Sequence, residues 1–152
     1  MNEIDPAELA AGLERLVGLI RWLSPPGLSM TAAATLAALE RLGPARLTAL
    51  AAREGVTQPA MTQLIARLTE QGLVTRAADP HDGRVARIEL TRAGRGLLAG
   101  RRAVRAERIS GLLAALSPDD RQALAAALPA VNALASARRD EHVADVPAVS
   151  TH

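Results

Sequence analysis

The chain has 152 residues, 49% of them apolar and 22% charged, which is typical of one soluble globular domain with or without an oligomerisation element. It contains no cysteine, and this excludes disulfides, thiol redox switches and thiolate metal sites. All 18 basic residues are arginine, and residues 41–108 hold 13 of them against 6 acidic residues, a net charge of +7, whereas the rest of the chain carries −5. A basic centre between acidic ends indicates a polyanion-binding region, although a basic segment taken alone is more often only a solvated face.

The amino-terminal segment and the apolar stretches predict no membrane association. The first ten residues, MNEIDPAELA, are acidic and amphipathic, unlike a signal peptide. The uncharged stretch at residues 23–39 contains two prolines, glycine, serine and threonine, and is too short and too polar to span a bilayer. We therefore expect a cytoplasmic protein.

Helical periodicity dominates both ends of the chain. Trp22 is the sole aromatic residue, so the core must be aliphatic, and the abundant alanine and leucine favour helices. Helices are predicted to begin after Asp5, Ser29, Thr91 and Ser117. Pro129 is expected to kink the last helix. The helix after Thr91 is expected to bury a long stripe, made of Leu97, Leu98, Val104, Ile109, Leu112, Leu113 and Leu116.

Two short helices in the basic centre have the spacing of a helix-turn-helix. The first spans about residues 48–54, Gly55-Val56 forms a tight turn, and Thr57 caps a second helix that ends near Gln71. One face of the second helix is apolar and is predicted to pack inward. The opposite face carries short polar groups that suit base edges and phosphates better than a merely solvated face: Gln58, Pro59, Thr62, Gln63 and Arg67.

A predicted hairpin follows directly. Residues 73–77 and 85–90 read as strands, and the intervening DPHDGR contains the proline, aspartate and glycine of a turn. Arg84 lies at or near the tip, where a DNA minor groove attracts arginine. Asp79 and Asp82 are expected to brace Arg76 or Arg84 by charge-assisted hydrogen bonds. An ordinary charged hairpin is the alternative, but the preceding helix-turn-helix favours a DNA-contacting wing.

Three stretches together resemble the MarR (multiple antibiotic resistance regulator) family of winged helix-turn-helix repressors. They are LTALAAREGVTQPAMTQLIARLTEQGLVTR, DPHDGR and IELTRAG, from about residue 47 to residue 94. The resemblance implies a mainly α fold with a small β-hairpin wing, and long N- and C-terminal helices that form a homodimer. It divides the chain into N-terminal dimerisation and scaffold helices (1–42), a winged helix-turn-helix DNA-binding domain (43–95), C-terminal dimerisation helices (96–142) and a disordered tail (143–152).

Carried over to this sequence, the family pattern implies a site for double-stranded DNA. Its residues would be Thr57, Gln58, Pro59, Thr62, Gln63, Arg67 and the wing arginine Arg84, with Asp82 as the brace of the wing arginine. The family also implies a small-molecule effector that binds between the dimerisation helices and the winged domain. That pocket would be lined by Leu, Val, Ala and Trp22, with an arginine to meet an anion. No cofactor is expected, and no metal, because the three histidines are scattered.

Two other classes of function compete with a DNA-binding repressor. An enzyme is not expected, since the sequence has no cysteine, no tyrosine, no glycine-rich phosphate loop and no metal-ligand cluster. A winged-helix module that binds protein instead of DNA is the stronger alternative. The arginines around the hairpin argue against it, because a protein-binding wing would not need them.

Overall fold

A computed structural model describes residues 4–144, with side chains described as far as residue 137. The predicted tail, 143–152, lies outside the described residues except for the backbone of its first two positions. Within the described range the chain forms six helices and three short strands, in the order α1 Pro6–Leu23, α2 Met30–Leu42, β1 Ala45–Arg46, α3 Leu47–Glu54, α4 Gln58–Glu70, β2 Val74–Ala78, β3 Ala86–Leu90, α5 Arg92–Ala114 and α6 Pro118–Ala144. The predicted fold class, mainly α with a small β wing, is confirmed.

The helices begin where side chains can satisfy their first free N–H groups. Asp5 accepts a hydrogen bond from the Ala7 amide at 2.9 Å, and the Ser29 hydroxyl accepts from the Ala32 amide at 3.1 Å. Each cap replaces a backbone acceptor that the first helical turn lacks. The starts of α1 and α2 are therefore encoded locally.

The three strands form one antiparallel sheet in the order β1-β3-β2. Strands β2 and β3 pair from Val74 opposite Leu90 to Ala78 opposite Ala86, and β1 adds Ala45 opposite Ile88. Side chains alternate between the faces of a strand, so Ile88 and Leu90 both point to the core and both are buried. The sheet thus has one face in the core and one turned away from it.

An aliphatic core unites α2, α3, α4 and the sheet. Its largest fully buried side chains include Leu36, Leu50, Met61, Ile65 and Ile88, all at 2% exposure or less. The remaining members of the cluster include Leu39, Leu64, Leu68, Val74, Leu90 and Leu98. This core holds α4 by one face only.

The start of α5 packs tightly on the end of the α4–β2 turn. The Thr91 hydroxyl donates to the Gly72 carbonyl at 2.6 Å and accepts from the Gly94 amide at 3.1 Å, while the Thr91 amide donates to the Leu73 carbonyl at 3.1 Å. A Cβ on Gly94 would lie 2.3 Å from that same carbonyl oxygen, so only glycine fits. The junction fixes where the wing leaves the core.

The chain divides into two compact units, residues 1–109 and 110–152, with the boundary inside α5. In the second unit, α6 continues through Pro129. Its apolar side chains are exposed, among them Leu124, Leu128, Val131 and Leu134. Of the helices within residues 4–144, none combines the length and the apolarity needed to cross a bilayer.

The long buried stripe predicted for α5 is wrong for the single chain. Leu98 is buried, whereas Val104, Leu112 and Leu116 are each more than a third exposed. Periodicity identifies an apolar face but not what covers it. Leu98 belongs to the core cluster, and Leu97 packs against it.

Candidate nucleic-acid interface

A sharp turn sets the angle between α3 and α4. Gly55 ends α3 with φ 64° and ψ 33°, a left-handed conformation that favours glycine. The Gly55 and Val56 amides donate back to carbonyls of the last turn of α3. Thr57 then caps α4, its hydroxyl accepting from the Ala60 amide at 3.3 Å, and Pro59 occupies the first turn. This is the helix-turn-helix that the sequence predicts.

Helix α4 has one buried face and one open face. Met61 and Ile65 are fully buried, and Leu64 and Leu68 nearly so. The residues predicted to read DNA lie together on the other side, and every one is exposed: Thr57, Gln58, Pro59, Thr62, Gln63 and Arg67. The structure therefore brings these candidates onto a single solvent-facing surface.

The Thr62 side chain on that surface already makes a hydrogen bond within the helix. The Thr62 hydroxyl donates to the Gln58 carbonyl at 2.9 Å. Its methyl group and its oxygen lone pairs stay available, so it can meet a thymine methyl better than it can donate to a base.

The wing is the hairpin of β2 and β3 with its connecting loop. The Asp79 amide donates to the Val85 carbonyl at 2.8 Å, and the Val85 amide donates to the Asp82 carbonyl at 3.0 Å. The Asp82 carboxylate accepts from the backbone amide of Arg84 at 3.1 Å. Arg84 is exposed within this ordered turn, with its side chain free of ion pairs to any other described residue.

The expected bracing of the wing is wrong in its partners. Asp79 pairs with neither Arg76 nor Arg84: its Oδ2 accepts from Arg87 Nε at 2.9 Å and from Arg46 Nη2 at 3.3 Å. Arg76 lies opposite Ile88 in the strand register and is exposed. Asp82 orders the wing turn through the Arg84 backbone and not through its guanidinium.

The Asp79 carboxylate is fully buried by these contacts. Its Oδ1 accepts from the His81 backbone amide at 2.9 Å, and its side chain has 0% exposure. The His81 hydrogen bond, followed by that from Arg87, holds the pKa of this carboxyl well below its usual range. Sequence reasoning missed Arg46 and Arg87. The only sequence signal for either residue is the side-chain alternation that places Arg87 on the outer face of β3.

A cleft lies elsewhere in the same compact unit, between the end of α1, the start of α2 and α5. Its volume is about 220 Å³, and it is lined by Ile20, Ser24, Leu28, Ser29, Met30, Ala33, Ala34, Arg101 and Arg105. Trp22, the predicted pocket residue, is not part of this lining and is 60% exposed. The indole is exposed because of the direction in which it leaves α1, and residue spacing alone does not predict that direction.

Two arginines give the cleft its charge. Arg101 is 93% buried, and its Nη1 donates to the Pro26 carbonyl at 3.0 Å; burial, and then the charge of Arg105, lower its pKa. The Nε of Arg105 is buried and has no hydrogen-bond acceptor in the described part of the chain. A buried donor without an acceptor is costly, so the cleft is suited to an anion or another acceptor.

A neighbouring ion pair joins α2 to α5. Arg102 donates to the Glu40 carboxylate, and this hydrogen bond lowers the pKa of Glu40. Arg102 is therefore engaged outside the cleft, although it is adjacent to Arg101 in sequence.

Comparison with known proteins places this architecture among transcriptional regulators. The sequence profile described as MarR family matches residues 27–85. An HTH-type transcriptional regulator of Mycobacterium bovis is 33% identical over 129 residues, which cover 84% of this chain and 90% of the relative.

Solved structures agree on the fold. A Mycobacterium tuberculosis protein, RV1404, superposes with a TM-score of 0.78 at 23% identity, covering 88% of this chain and 96% of that one. BpsR of Bordetella bronchiseptica, whose DNA binding is regulated by 6-hydroxynicotinic acid, superposes with a TM-score of 0.58 at 22% identity, covering 87% of this chain and 95% of its own.

The environment of Asp79 predicts a pH-dependent contribution to stability. Because its folded pKa lies below the unfolded value, the contribution is present above the unfolded pKa and is lost as the pH falls through the folded pKa. Asp79→Asn should lower the free energy of unfolding at neutral pH. The difference in that free energy between the variant and the wild type should become smaller below about pH 4. Urea unfolding at a series of pH values measures this, with Glu89→Gln as the control that removes a carboxylate from the same sheet. A gap that stays constant with pH would contradict the assignment.

Proposed function

The chain belongs to the MarR family, and from that premise we propose that it is a transcriptional repressor that binds a pseudo-palindromic operator as a homodimer and is released by a small-molecule ligand. The observation that carries the proposal is the open polar face of α4 leading directly into a wing with an exposed arginine. Both parts belong to one compact unit with a continuous core.

Helix α4 is proposed to lie in the major groove. Gln58 and Gln63 offer amide groups that can pair with adenine, and Arg67 can reach guanine or phosphate. At the start of the helix the Gln58 amide can also donate to phosphate, whereas Pro59 has no N–H and the Ala60 amide is capped by Thr57. Since the apolar face is fully engaged in the core, the polar face can bind DNA without any loss of packing.

The wing is proposed to enter the adjacent minor groove through Arg84. The side chain extends from a turn whose backbone is ordered by Asp82 and Val85. A narrow minor groove has enhanced negative potential, which attracts an unpaired guanidinium. Asp82 supports the arginine by fixing its backbone, so the acidic residue near DNA has a structural reason.

The homodimer is proposed because two helices expose apolar faces. Helix α1 exposes Leu9, Leu13, Leu16, Val17 and Ile20, and α6 in its own unit exposes Leu124, Leu128, Val131 and Leu134. Contiguous exposed apolar surface of this kind marks an interface. A two-fold dimer would present its recognition helices roughly 34–36 Å apart, one turn of duplex.

The ligand is proposed to be a small organic anion bound in the cleft near Arg101 and Arg105. Apart from the two arginines and two serines, the lining is apolar, so an apolar body with a carboxylate suits it. The buried Nε of Arg105 supplies an unsatisfied donor for that carboxylate. Regulation of the Bordetella relative by a small organic acid supports the same class.

The alternative function is a winged-helix module that binds protein. Such a module would have the same fold and the same dimer. Protein binding, however, gives no reason for short amide and hydroxyl groups on α4 beside a wing with an arginine at its tip. Salt dependence separates the two, because neutralised phosphates release counterions and DNA affinity falls steeply with salt.

The first prediction concerns the wing. Arg84→Ala should weaken binding across many DNA sequences and reduce the slope of log affinity against log salt by about 1. Gel shifts on the DNA upstream of the protein's own gene, repeated over a salt series, measure both effects. Arg41→Ala, an exposed arginine outside α4 and the wing, is the control for lost charge. Equal affinity of the wild type and Arg84→Ala would remove the wing from the mechanism.

The second prediction concerns base reading by α4. Gln63→Ala should reduce discrimination at one base pair by about 1–3 kcal/mol while changing the salt slope little. Binding selections on randomised operator half-sites reveal which position loses preference. Gln71→Ala, at the residue that caps the C-terminal end of α4, should keep the wild-type preference. An unchanged preference for Gln63→Ala would place its amide away from the bases.

The third prediction concerns assembly. The chain should scatter light as a dimer, and Leu128→Glu, at a site 58% exposed in the single chain, should shift it towards the monomer, because the carboxylate would have to be buried. Leu42→Glu, at a site 59% exposed on α2, is the matched control and should remain dimeric. A monomeric wild-type chain would overturn the homodimer.

The fourth prediction concerns release. Benzoate should lower operator affinity, whereas benzamide, its neutral counterpart, should not, because only a carboxylate pairs with the arginines. Arg105→Met should abolish the benzoate effect and keep the affinity measured without benzoate. Arg15→Met, outside the cleft, should respond like the wild type. Equal effects of benzoate and benzamide would count against an anion site.

A further inference from the structure

Building on the proposed DNA-binding function, we propose that Asp79 is a positioning residue for the wing. Through its carboxylate it ties Arg46 and Arg87 together, so that these two arginines hold the wing against the helix-turn-helix instead of contacting phosphate. The inference rests on the geometry around the carboxylate and on the strand register.

The carboxylate joins three separate parts of the DNA-binding unit. Arg46 ends β1 and is the residue immediately before α3, so it leads into the helix-turn-helix. Arg87 belongs to β3, and the His81 amide belongs to the wing loop. Displacing Asp79 would therefore loosen the wing loop from β1 and from β3 at once.

The strand register makes such a tie necessary. Arg46 and Arg87 lie directly opposite one another on β1 and β3. Like charges at opposed positions destabilise a strand pair. One carboxylate oxygen receives a hydrogen bond from each guanidinium, which turns repulsion into a bridge.

The buried carboxylate partner distinguishes Arg46 and Arg87 from Arg84 in function. The Asp79 side chain has no exposed surface, and the side chains of Arg46 and Arg87 are 51% and 33% exposed. The buried Asp79 carboxylate partly neutralises the positive charge of Arg46 and Arg87, and it cannot move away into solvent. A phosphate would have to compete with this buried partner, whereas at Arg84 no carboxylate of the described residues forms an ion pair.

The test measures operator affinity and its salt slope for Asp79→Asn, Arg46→Met, Arg87→Met and the double variant Asp79→Asn with Arg46→Met. Glu89→Gln and Arg41→Met are the charge-matched controls, and Arg84→Ala is the reference for a lost phosphate contact. Circular dichroism verifies folding. If Asp79→Asn fails to fold, the two methionine variants carry the test, because both arginines are partly exposed.

We expect each single variant at the tie to lose about tenfold in affinity, within the range usual for coupling between two sites. The double variant should bind no more weakly than Asp79→Asn, since both changes break the same tie. All salt slopes should match the wild type, because no phosphate contact is lost. The controls should stay close to the wild type.

Two results would overturn the proposal. In the first, Arg46→Met and Arg87→Met each lower the salt slope by about 1, as Arg84→Ala does, which makes them phosphate contacts. In the second, Asp79→Asn folds and binds like the wild type. A wild-type chain without any salt-dependent DNA binding would instead overturn the proposed function itself, and this inference with it.

Discussion

The division of α4 into two faces is the constraint on which the rest of the structure depends. Met61 and Ile65 are buried completely, so the rotation of the helix about its axis is fixed by the core. Since residues three and four apart share a face, fixing one side fixes the other. The polar groups of Gln58, Thr62 and Gln63 are thereby presented as one rigid surface, and no separate device is needed to orient them.

A second set of contacts fixes the wing relative to that surface. The Thr91 hydroxyl and the close approach of Gly94 hold the base of the hairpin against the end of α4. At the other end of the hairpin, the Asp79 carboxylate joins β1, β3 and the wing loop. Polar contacts therefore hold both ends of the wing. The two-residue strand β1 gives few ladder hydrogen bonds of its own, so the wing depends on these contacts.

Local signals in the sequence predict most of this arrangement. The caps at Asp5 and Ser29, the glycine that ends α3 and the period of the α4 stripe each act within a few residues. The open face of α4 follows from the same periodicity, and the exposed position of Arg84 follows from the turn residues around it. The family resemblance adds the order of these elements, and the fold confirms that order.

Contacts between distant residues could not be predicted in the same way. Asp79 meets Arg46, 33 positions away, only because β1 pairs with β3, and β1 is too short to leave a clear pattern. The cleft depends on arginines of α5 reaching the loop after α1, 75 positions away in the case of Arg101 and Pro26. Trp22 is predicted to line the pocket because it is the sole aromatic residue, but composition carries no information on the direction of a side chain.

A direct test of the account is amide hydrogen exchange of the chain with and without its operator DNA. Residues 57–60 and 80–84 are exposed, and the amides of Ala60, His81 and Arg84 donate only to local cap or turn acceptors, so both segments should exchange quickly in the free protein. We expect DNA to slow exchange most in residues 57–63 and 80–85. Protection confined to other segments, with these two unchanged in a saturated complex, would contradict it.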